Sequence, residues 1–345
     1  MPAPCPETLP AYYMPTLHVI GAISIPMNVL GFYMVWFQSP GMQGYKYCLC
    51  YMQSVSMLTE LYMSWICPSY FFFPLAGGYI LEENFRRFVS THASLTIWVF
   101  IFCFVLSAAL TCFVYRHNAA AQINQDYSGK MYFEKLLLVL THIFPFFTGF
   151  GTWMSQLTYE QKYDYVRQNY PQCLSWMAYD GFEAYNWQVN TWIPVAGLGG
   201  IGWVFVVASY CLYLGVHTMM ILQRLRAHMS PQTYQMHRTA LISLTMQMVI
   251  PGMLLTTPLY MILVVIMTNS LAFEELASTF SFLMSSHSMC QCFVMVMSNG
   301  VYRRVLKEKV FRLLRLPVPN ESQVGSLVEP SMRISNNFVG TVLNA

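Results

Sequence analysis

Seven long apolar stretches constrain what this chain can fold into more than any other feature of its sequence. About twenty consecutive apolar residues let a helix cross a lipid bilayer. The stretches contain one carboxylate, Glu60, and neither lysine nor arginine; their bounds are 17–37, 48–73, 88–115, 136–156, 192–222, 240–268 and 276–297. Because a helix satisfies its own backbone polar groups in lipid, the pattern predicts an all-α membrane protein, a seven-transmembrane helix bundle.

The composition of the chain agrees with a protein that is mostly embedded in lipid. Its 345 residues are 56% hydrophobic and 10% charged, whereas soluble domains average about 25% charged residues. The net charge of +3 is too small for binding nucleic acid through a bulk basic field. The first sixteen residues hold no lysine or arginine, so we expect no cleavable signal peptide.

The charges between the stretches predict the orientation of the bundle. With the N-terminus outside and the C-terminus in the cytosol, 14 of the 18 basic residues lie on the inner side and nine of the 15 acidic residues lie outside. Basic residues collect on the cytosolic side of membrane proteins. This asymmetry therefore favours an outer N-terminus.

The same pass along the chain divides it into a membrane domain and a tail. We predict a seven-transmembrane domain over residues 1–316 and a disordered cytosolic tail over 317–345, which is polar. A helix over about 301–316 alternates apolar and basic residues, which favours an amphipathic helix on the inner leaflet. A stop-transfer charge cluster explains the same pattern equally well. The second outer loop, about 157–191, is long and rich in aromatic residues.

Glu60 is the polar residue that most needs an explanation. A carboxylate at the centre of a membrane helix costs about 2.5–3.5 kcal/mol on insertion scales. Asn28, His287 and Ser288 lie at comparable depth in the first and last stretches, and a protonated Glu60 could hydrogen-bond among them. We predict a buried polar core that can repack; the alternative is that Glu60 only holds helices together.

A second group of polar residues lies at the predicted inner ends of the helices. Arg116 and His117 directly follow the third stretch, and the inner loop between the fifth and sixth carries Arg224, Arg226 and Arg238. These residues predict a basic cytosolic face on which Arg116 gates the bundle. The position of this charge by itself favours the alternative, in which Arg116 is a positive-inside anchor.

Enzyme and transporter functions find less support in the sequence. A metal-dependent membrane hydrolase would need His92, His142 or His287 clustered with Glu60, but these residues are scattered over different stretches. The ten cysteines include no CxxC pair, so we expect neither a metal nor another cofactor. A transporter usually shows repeats, and no two-half symmetry is visible. Transporter and hydrolase remain the alternatives.

Several stretches carry a resemblance to a known family. The chain resembles the nematode serpentine chemoreceptors, which are seven-transmembrane G-protein-coupled receptors, and is most similar to their class I, with class H next. The resemblance runs from about residue 12 to 316 and rests on the order of seven segments: LHVIGAISIPMNVLGFYMVWFQSP, LTELYMSW, FPLAGGYI, YRHNAA, VRQNYPQ, SPQTYQMHRTALISLTMQ and HSMCQCFVMVMSNGVYR.

This resemblance implies a receptor that binds a small external ligand and couples to a heterotrimeric G protein. It implies a location in the plasma membrane of chemosensory neurons, in their sensory cilia. By looser analogy with rhodopsin-like receptors, Asn28 and Glu60 resemble the polar pair of the first two helices. Arg116 resembles the arginine at the inner end of the third helix, and the ligand is expected in the outer half of the bundle.

Three positions depart from those related patterns. The acid of the second helix is Glu60 where aspartate is usual, and the segment after the last helix begins Val301-Tyr302-Arg303 where Pro-Tyr-Arg is common. No cysteine lies at the outer end of the third helix, so the disulfide of rhodopsin-like receptors is not available in that form. For Cys173 this leaves Cys67, Cys5 or no partner.

Overall fold

The computed structural model describes residues 10–39, 44–73, 75–122, 131–179, 181–268, 276 and 279–315. The predicted cytosolic tail over 317–345 lies outside the described residues. In chain order the helices are α1 (Tyr13–Phe37), α2 (Tyr45–Leu61), α3 (Glu83–Arg86), α4 (Thr91–Ala121), α5 (Met131–Trp153), α6 (Tyr159–Asn169), α7 (Trp192–Leu225), α8 (Pro231–Thr268), α9 (Ser281–Ser285), α10 (His287–Ser298) and α11 (Gly300–Leu313).

Seven helical segments form the bundle, and within the described part of the chain five of them are long and apolar enough, as unbroken helices, to cross a membrane. Those five are α1, α4, α5, α7 and α8. The second segment, α2, has 17 residues and continues as a π-helical turn over Tyr62–Ile66. The seventh segment is divided at Ser286 into α9 and α10. The chain is therefore an all-α membrane bundle in which the second and seventh segments are irregular.

Helix α4 occupies the centre of the bundle and packs against α2, α5, α7 and α8. Helix α10 packs against α1, α2 and α8, which closes the ring between the first and last segments. The largest buried apolar cluster includes Met34, Leu110 and Phe113. Large apolar side chains on the outward faces, such as Phe205 and Tyr260, are exposed, as expected for a surface that faces lipid.

A three-stranded antiparallel sheet covers one end of the bundle, which we call the sheet end. Strands β1 (Ser69–Phe72) and β2 (Gly77–Ile80) form a hairpin, and β3 (Glu183–Ala184) pairs with β2. Gly77 and Gly78 allow this pairing, because a Cβ on either would collide with the backbone oxygen of Glu183 or Tyr70. The sequence prediction was wrong for β1, because it included residues 69–72 in the second apolar stretch, and it placed β2 and β3 in loops.

The long loop of the sequence prediction is a folded cap on the sheet. Helix α6 begins with a capping box between Thr158 and Gln161, and a 3₁₀ turn follows it. Val166 and Trp176 of the cap are buried against Tyr13 and Tyr79. A buried ion pair, Lys162 Nζ to Glu183 Oε2 at 3.0 Å, joins α6 to β3. The cap is thereby fixed to the bundle.

The opposite end of the bundle, which we call the arginine end, carries Arg116 and the helix after the last segment. Asn299 caps α11 by accepting a hydrogen bond from the Val301 amide. The hydroxyl groups of Tyr302 and Ser39 are hydrogen-bonded, and Lys309 Nζ lies 4.4 Å from the centre of the Tyr33 ring. These contacts hold α11 against the end of α1.

Candidate functional site

A cavity of about 400 Å³ lies beneath the sheet. The second, third, fifth and sixth helical segments and α9 contribute to its wall, and the sheet forms its roof. Most of the wall is apolar, with Met63, Phe71, Leu95, Ile262 and Met284 among the residues that line it. Its size and character are those of a site for a small organic molecule.

The tyrosine side chains at the roof of the cavity are uncharged, and one of them is hydrogen-bonded to His92. The Nε2–H of His92 donates to the backbone oxygen of Trp153 at 2.9 Å, so His92 Nδ1 accepts from the Tyr185 hydroxyl at 2.9 Å. Burial raises the pKa of Tyr79 to about 12 and raises the pKa of Tyr185 well above its usual value. Both phenols are therefore uncharged at neutral pH.

A buried polar cluster lies deeper in the bundle and joins α1, α2 and α10. The Asn28 amide donates to Ser24 Oγ at 2.8 Å, and Asn28 Oδ1 accepts from Ser288 Oγ at 2.9 Å and from the Gln53 amide. Ser56 Oγ donates to Gln291 Oε1 at 2.9 Å. The structure thus brings Asn28 and Ser288 together, although 260 residues separate them in the sequence.

Glu60 belongs to the same cluster and is only 1% exposed. Its Oε2 accepts a hydrogen bond from the Met289 amide at 3.0 Å. His287 does not contact it: the imidazole Nδ1–H donates to the Met284 backbone oxygen at 2.7 Å. Four buried polar atoms of this region have no hydrogen-bond partner among the described residues: Glu60 Oε1, Ser285 Oγ, His287 Nε2 and Gln291 Nε2. Because these atoms are unpaired, the side chains of the network could exchange hydrogen-bond partners.

The irregular turns of the second and seventh segments lie between the cavity and this cluster. Tyr62 and Met63 of the π turn line the cavity and lie two and three residues after Glu60. Met284 lines the cavity as well. The interruption of the helix at Ser286 lies between Met284 and the polar cluster. π-helical turns occur frequently at functional sites. Movement of either turn would act on both the cavity and the polar cluster.

Arg116 lies at the arginine end of α4 and stacks on an aromatic ring. Its guanidinium carbon is 3.6 Å from the centre of the Tyr45 ring at the start of α2. Cation–π contacts of this kind contribute about 0.5–2 kcal/mol. The contact ties the third helical segment to the second in this conformation.

His117 is buried in the bundle, whereas the sequence prediction placed it on an exposed basic face. Its Nδ1 lies 2.9 Å from Glu134 Oε1 of α5, and its Nε2 lies 2.8 Å from His217 Nδ1 of α7. The ring is 0% exposed and Glu134 is 3% exposed. His117 therefore joins three helices in this conformation and is not accessible to a partner protein.

The other predicted basic residues are exposed at the arginine end. Arg224, Arg226 and Arg238 are accessible to solvent. A cleft of about 540 Å³ between the ends of α7 and α8 is lined by Arg226, Arg238 and Tyr234. The Arg226 guanidinium carbon lies 5.6 Å from the centre of the Tyr234 ring. This surface is basic and concave.

The family model described as serpentine type 7TM GPCR chemoreceptor Sri matches residues 3–306. The match covers the bundle, the cap and the start of α11. The chain belongs to the Sri chemoreceptor family. A comparison with curated proteins finds no match. The predicted resemblance to class I serpentine receptors is confirmed, and the Sri family is a family of receptors rather than of enzymes.

The metal-dependent hydrolase finds no support in the described part of this Sri receptor. Within that part, no group of three or more histidine, cysteine, aspartate or glutamate residues could hold a metal ion. His142 bonds to the Leu138 backbone oxygen and stacks on Tyr51. The three histidines that the hydrolase would require lie on different helices and each bonds to a different backbone oxygen.

Cys173 in the cap of the Sri receptor is disulfide-bonded. Cys67 is a free thiol whose Sγ lies 2.6 Å from Ser94 Oγ, so the pairing of Cys173 with Cys67 is ruled out. Cys5, the other predicted candidate, lies outside the described residues. The pairing of Cys173 with Cys5 stays a prediction.

Several residues of the site were not selected from the sequence. Gln53, Ser56 and Gln291 join the polar cluster, and their spacing from Glu60 and Ser288 at three, four or seven residues is a helical signal that identifies them. The fourth apolar stretch of the sequence begins at residue 136, which leaves Glu134 outside the predicted helix. Helix α5 begins at Met131, which places Glu134 inside the bundle.

Proposed function

We propose that this Sri receptor is a chemosensory G-protein-coupled receptor. It binds a small external ligand in the cavity beneath the sheet and signals to a heterotrimeric G protein at the arginine end. The observation that carries this proposal is the position of the cavity. It shares the second and seventh helical segments with the polar cluster that contains Glu60, and both segments are irregular between the two.

This arrangement couples the cavity to the polar cluster. A ligand that displaces Tyr62, Met63 or Met284 shifts the turns that lead to Glu60 and Met289. The polar cluster then changes hydrogen-bond partners, and α1, α2 and α10 move relative to one another. A ligand can shift such an equilibrium only by its difference in affinity for the two arrangements. Asn28, Glu60, His287 and Ser288 are the proposed residues of this switch.

The arginine end supplies the surface for the G protein. The basic residues between the helices support a cytosolic position for this end. Arg116 held on Tyr45 is the resting arrangement, and its release would open the end of α4. Arg224, Arg226 and Arg238 line the exposed basic surface, and His117 would join it only after leaving Glu134 and His217. Helix α11 would lie on the anionic inner leaflet with Leu313 in the lipid.

The test is ligand-evoked G-protein activation in cells that express the full chain. A broad panel of volatile and lipid-like molecules is applied to wild type, Glu60→Ala, Arg116→Ala and Arg87→Ala. Arg87 lies at the sheet end, where its side chain is 70% exposed, so it controls for the loss of one arginine. We expect a response that Arg116→Ala abolishes and Arg87→Ala preserves at equal surface expression.

An equal response from the Arg116 and Arg87 variants would contradict the proposed cytosolic role of Arg116. Uptake of a panel member without G-protein activation would instead indicate a transporter. The location in sensory cilia is tested separately, by imaging a tagged chain in chemosensory neurons. A uniform distribution over the cell body would contradict it.

A further inference from the structure

Two buried hydrogen-bond donors in the cavity wall have no partner among the described residues. They are the indole Nε1–H of Trp98 and the hydroxyl of Thr91, and both residues line the cavity. An indole N–H can only donate, and a buried donor without an acceptor is costly. An acceptor group on a ligand, such as a carbonyl oxygen, would recover that cost for the donor that it reaches, and the indole N–H of Trp98 is the donor that has no other role.

Among the described residues, the wall offers no unpaired charge to such a ligand. Glu183, the one charged residue of that part of the chain that lines the cavity, is paired with Lys162 at 3.0 Å. The Tyr62 hydroxyl donates to Ser94 Oγ at 3.1 Å, and the Tyr79 and Tyr185 phenols are uncharged. An ammonium or carboxylate group buried here would lack a partner of opposite charge, which disfavours its binding strongly.

The exposure of several lining residues indicates that the cavity opens on the side of the bundle, between the parts of α7 and α8 near the sheet end. Ile201, Leu259 and Leu263 line it and are 52%, 38% and 40% exposed. Tyr79 and Tyr185 in the roof are 5% and 7% exposed. Gly197 also lines the opening, and a Cβ added there would meet no atom within 4 Å. The opening therefore faces the surface that contacts lipid.

We propose that the cavity takes an uncharged, lipophilic molecule with a hydrogen-bond acceptor, which reaches it from the bilayer between α7 and α8. The acceptor binds the Trp98 indole, and the apolar remainder lies among Leu95, Ile262 and Met284. This inference names the ligand class of the proposed receptor site, so it rests on that function. It goes further in stating the charge of the ligand and its route of entry.

Direct binding to the purified full chain in lipid nanodiscs tests the ligand class. The probes are octane, octanal, octyl acetate, octylamine and octanoate at pH 7, and binding is measured as a rise in unfolding temperature. We expect octanal and octyl acetate to bind about threefold to tenfold more tightly than octane, the worth of one hydrogen bond. Octylamine and octanoate should bind at least about a hundredfold more weakly than octanal.

Substitution of the donor separates a hydrogen bond from general packing. Trp98→Phe keeps an aromatic ring but removes the N–H, so octanal should lose its advantage over octane. Trp203→Phe is the matched control, because Trp203 Nε1 is also buried without a partner among the described residues but lies outside the cavity wall. Trp203→Phe should leave the difference between octanal and octane unchanged.

Filling the lateral opening tests the route of entry. Gly197→Leu adds a side chain at the opening, whereas Gly202→Leu adds one on another face of the same helix, also into open space. We expect Gly197→Leu to slow octanal association at least about tenfold and Gly202→Leu to leave it unchanged. Equal rates in the two variants would overturn the lateral route.

The binding assay judges the ligand class without using a G protein. Equal binding of octane and octanal, tight binding of a charged probe, or no binding of any probe would overturn the class. The predicted order of binding without G-protein activation in cells would support the class and contradict the receptor function. Activation by a charged agonist would support the receptor function and contradict the uncharged ligand class.

Discussion

Glu60 has one oxygen bonded to the Met289 amide and one without a partner among the described residues, and this difference separates the effects of two replacements. Glu60→Gln keeps an oxygen for the Met289 amide, so we expect the free energy of unfolding to stay within about 1 kcal/mol of wild type. Glu60→Ala removes the acceptor and should cost about 1–3 kcal/mol. Thermal unfolding in detergent measures both.

The matched control for this pair is Glu83→Gln, which neutralises an exposed carboxylate in α3 at the sheet end. It should leave the unfolding temperature unchanged. If Glu60→Gln destabilised the chain as much as Glu60→Ala, the ionised carboxylate itself would be required, and the description of Glu60 as a hydrogen-bonding group would be wrong.

Two ion pairs at the sheet end differ in burial and should differ in importance. Lys162 and Glu183 are 11% and 8% exposed, whereas Arg87 and Glu83 are 70% and 73% exposed. Lys162→Met leaves the Glu183 carboxylate buried without its partner, which should cost the cap about 3–5 kcal/mol. Arg87→Met should cost less than about 1 kcal/mol. Hydrogen exchange of the α6 amides reports the difference, and equal protection in the two variants would contradict it.

At the scale of elements, the π turn depends on a close approach between α1 and the second segment. The Trp65 indole donates to the His18 backbone oxygen at 3.0 Å, and its ring occupies the space where a side chain at Gly21 would lie. Gly21→Leu should displace Trp65 and cost about 1–3 kcal/mol by overpacking. Gly252→Leu in α8 meets no atom within 4 Å and serves as the control in thermal unfolding.

A destabilised Gly21→Leu variant beside an unchanged Gly252→Leu variant would support the anchoring of the π turn by α1. An unchanged Gly21→Leu variant would mean that the turn forms without this contact. That result would contradict the proposal that α1 holds the π turn in the position that links the cavity to Glu60.

The cap is the second element whose order rests on a specific bond. Cys173 is disulfide-bonded, and eight cysteines of the chain are free thiols. Cys5 is the remaining cysteine of the ten. We expect Cys173→Ser and Cys5→Ser to destabilise the receptor equally, by about 2–4 kcal/mol. Peptide mapping without reduction should recover Cys5 and Cys173 together, whereas Cys67→Ser should not change the map.

For the whole molecule, the positive-inside asymmetry predicts which end faces the cytosol. A membrane-impermeant thiol reagent is applied to intact cells that express Arg87→Cys or Arg224→Cys, both of which replace an exposed arginine. We expect labelling of the Arg87→Cys chain outside and of the Arg224→Cys chain only after permeabilisation. The reverse pattern would place the cavity inside the cell and contradict the receptor proposal.

The sequence determined the class of the protein because lipid imposes a local rule. Every spanning segment must be apolar and helical, so seven apolar stretches predict seven helical segments without knowledge of their neighbours. The seven segments within and between these stretches also indicated a resemblance to class I serpentine receptors, which the match to the Sri family confirms. The depth of Glu60, Asn28 and Ser288 within their stretches was sufficient to group them as a candidate core.

The tertiary structure alone decided how those residues are paired and what covers the bundle. Ser288 bonds to Asn28 over 260 residues, and the Met289 amide bonds to Glu60 over 229 residues. No local pattern encodes such contacts. The sheet, the burial of His117 against Glu134 and the free donor of Trp98 likewise arise only when distant segments meet. Hydrophobicity is a property of each stretch, whereas a binding site is a property of the surfaces that several stretches share.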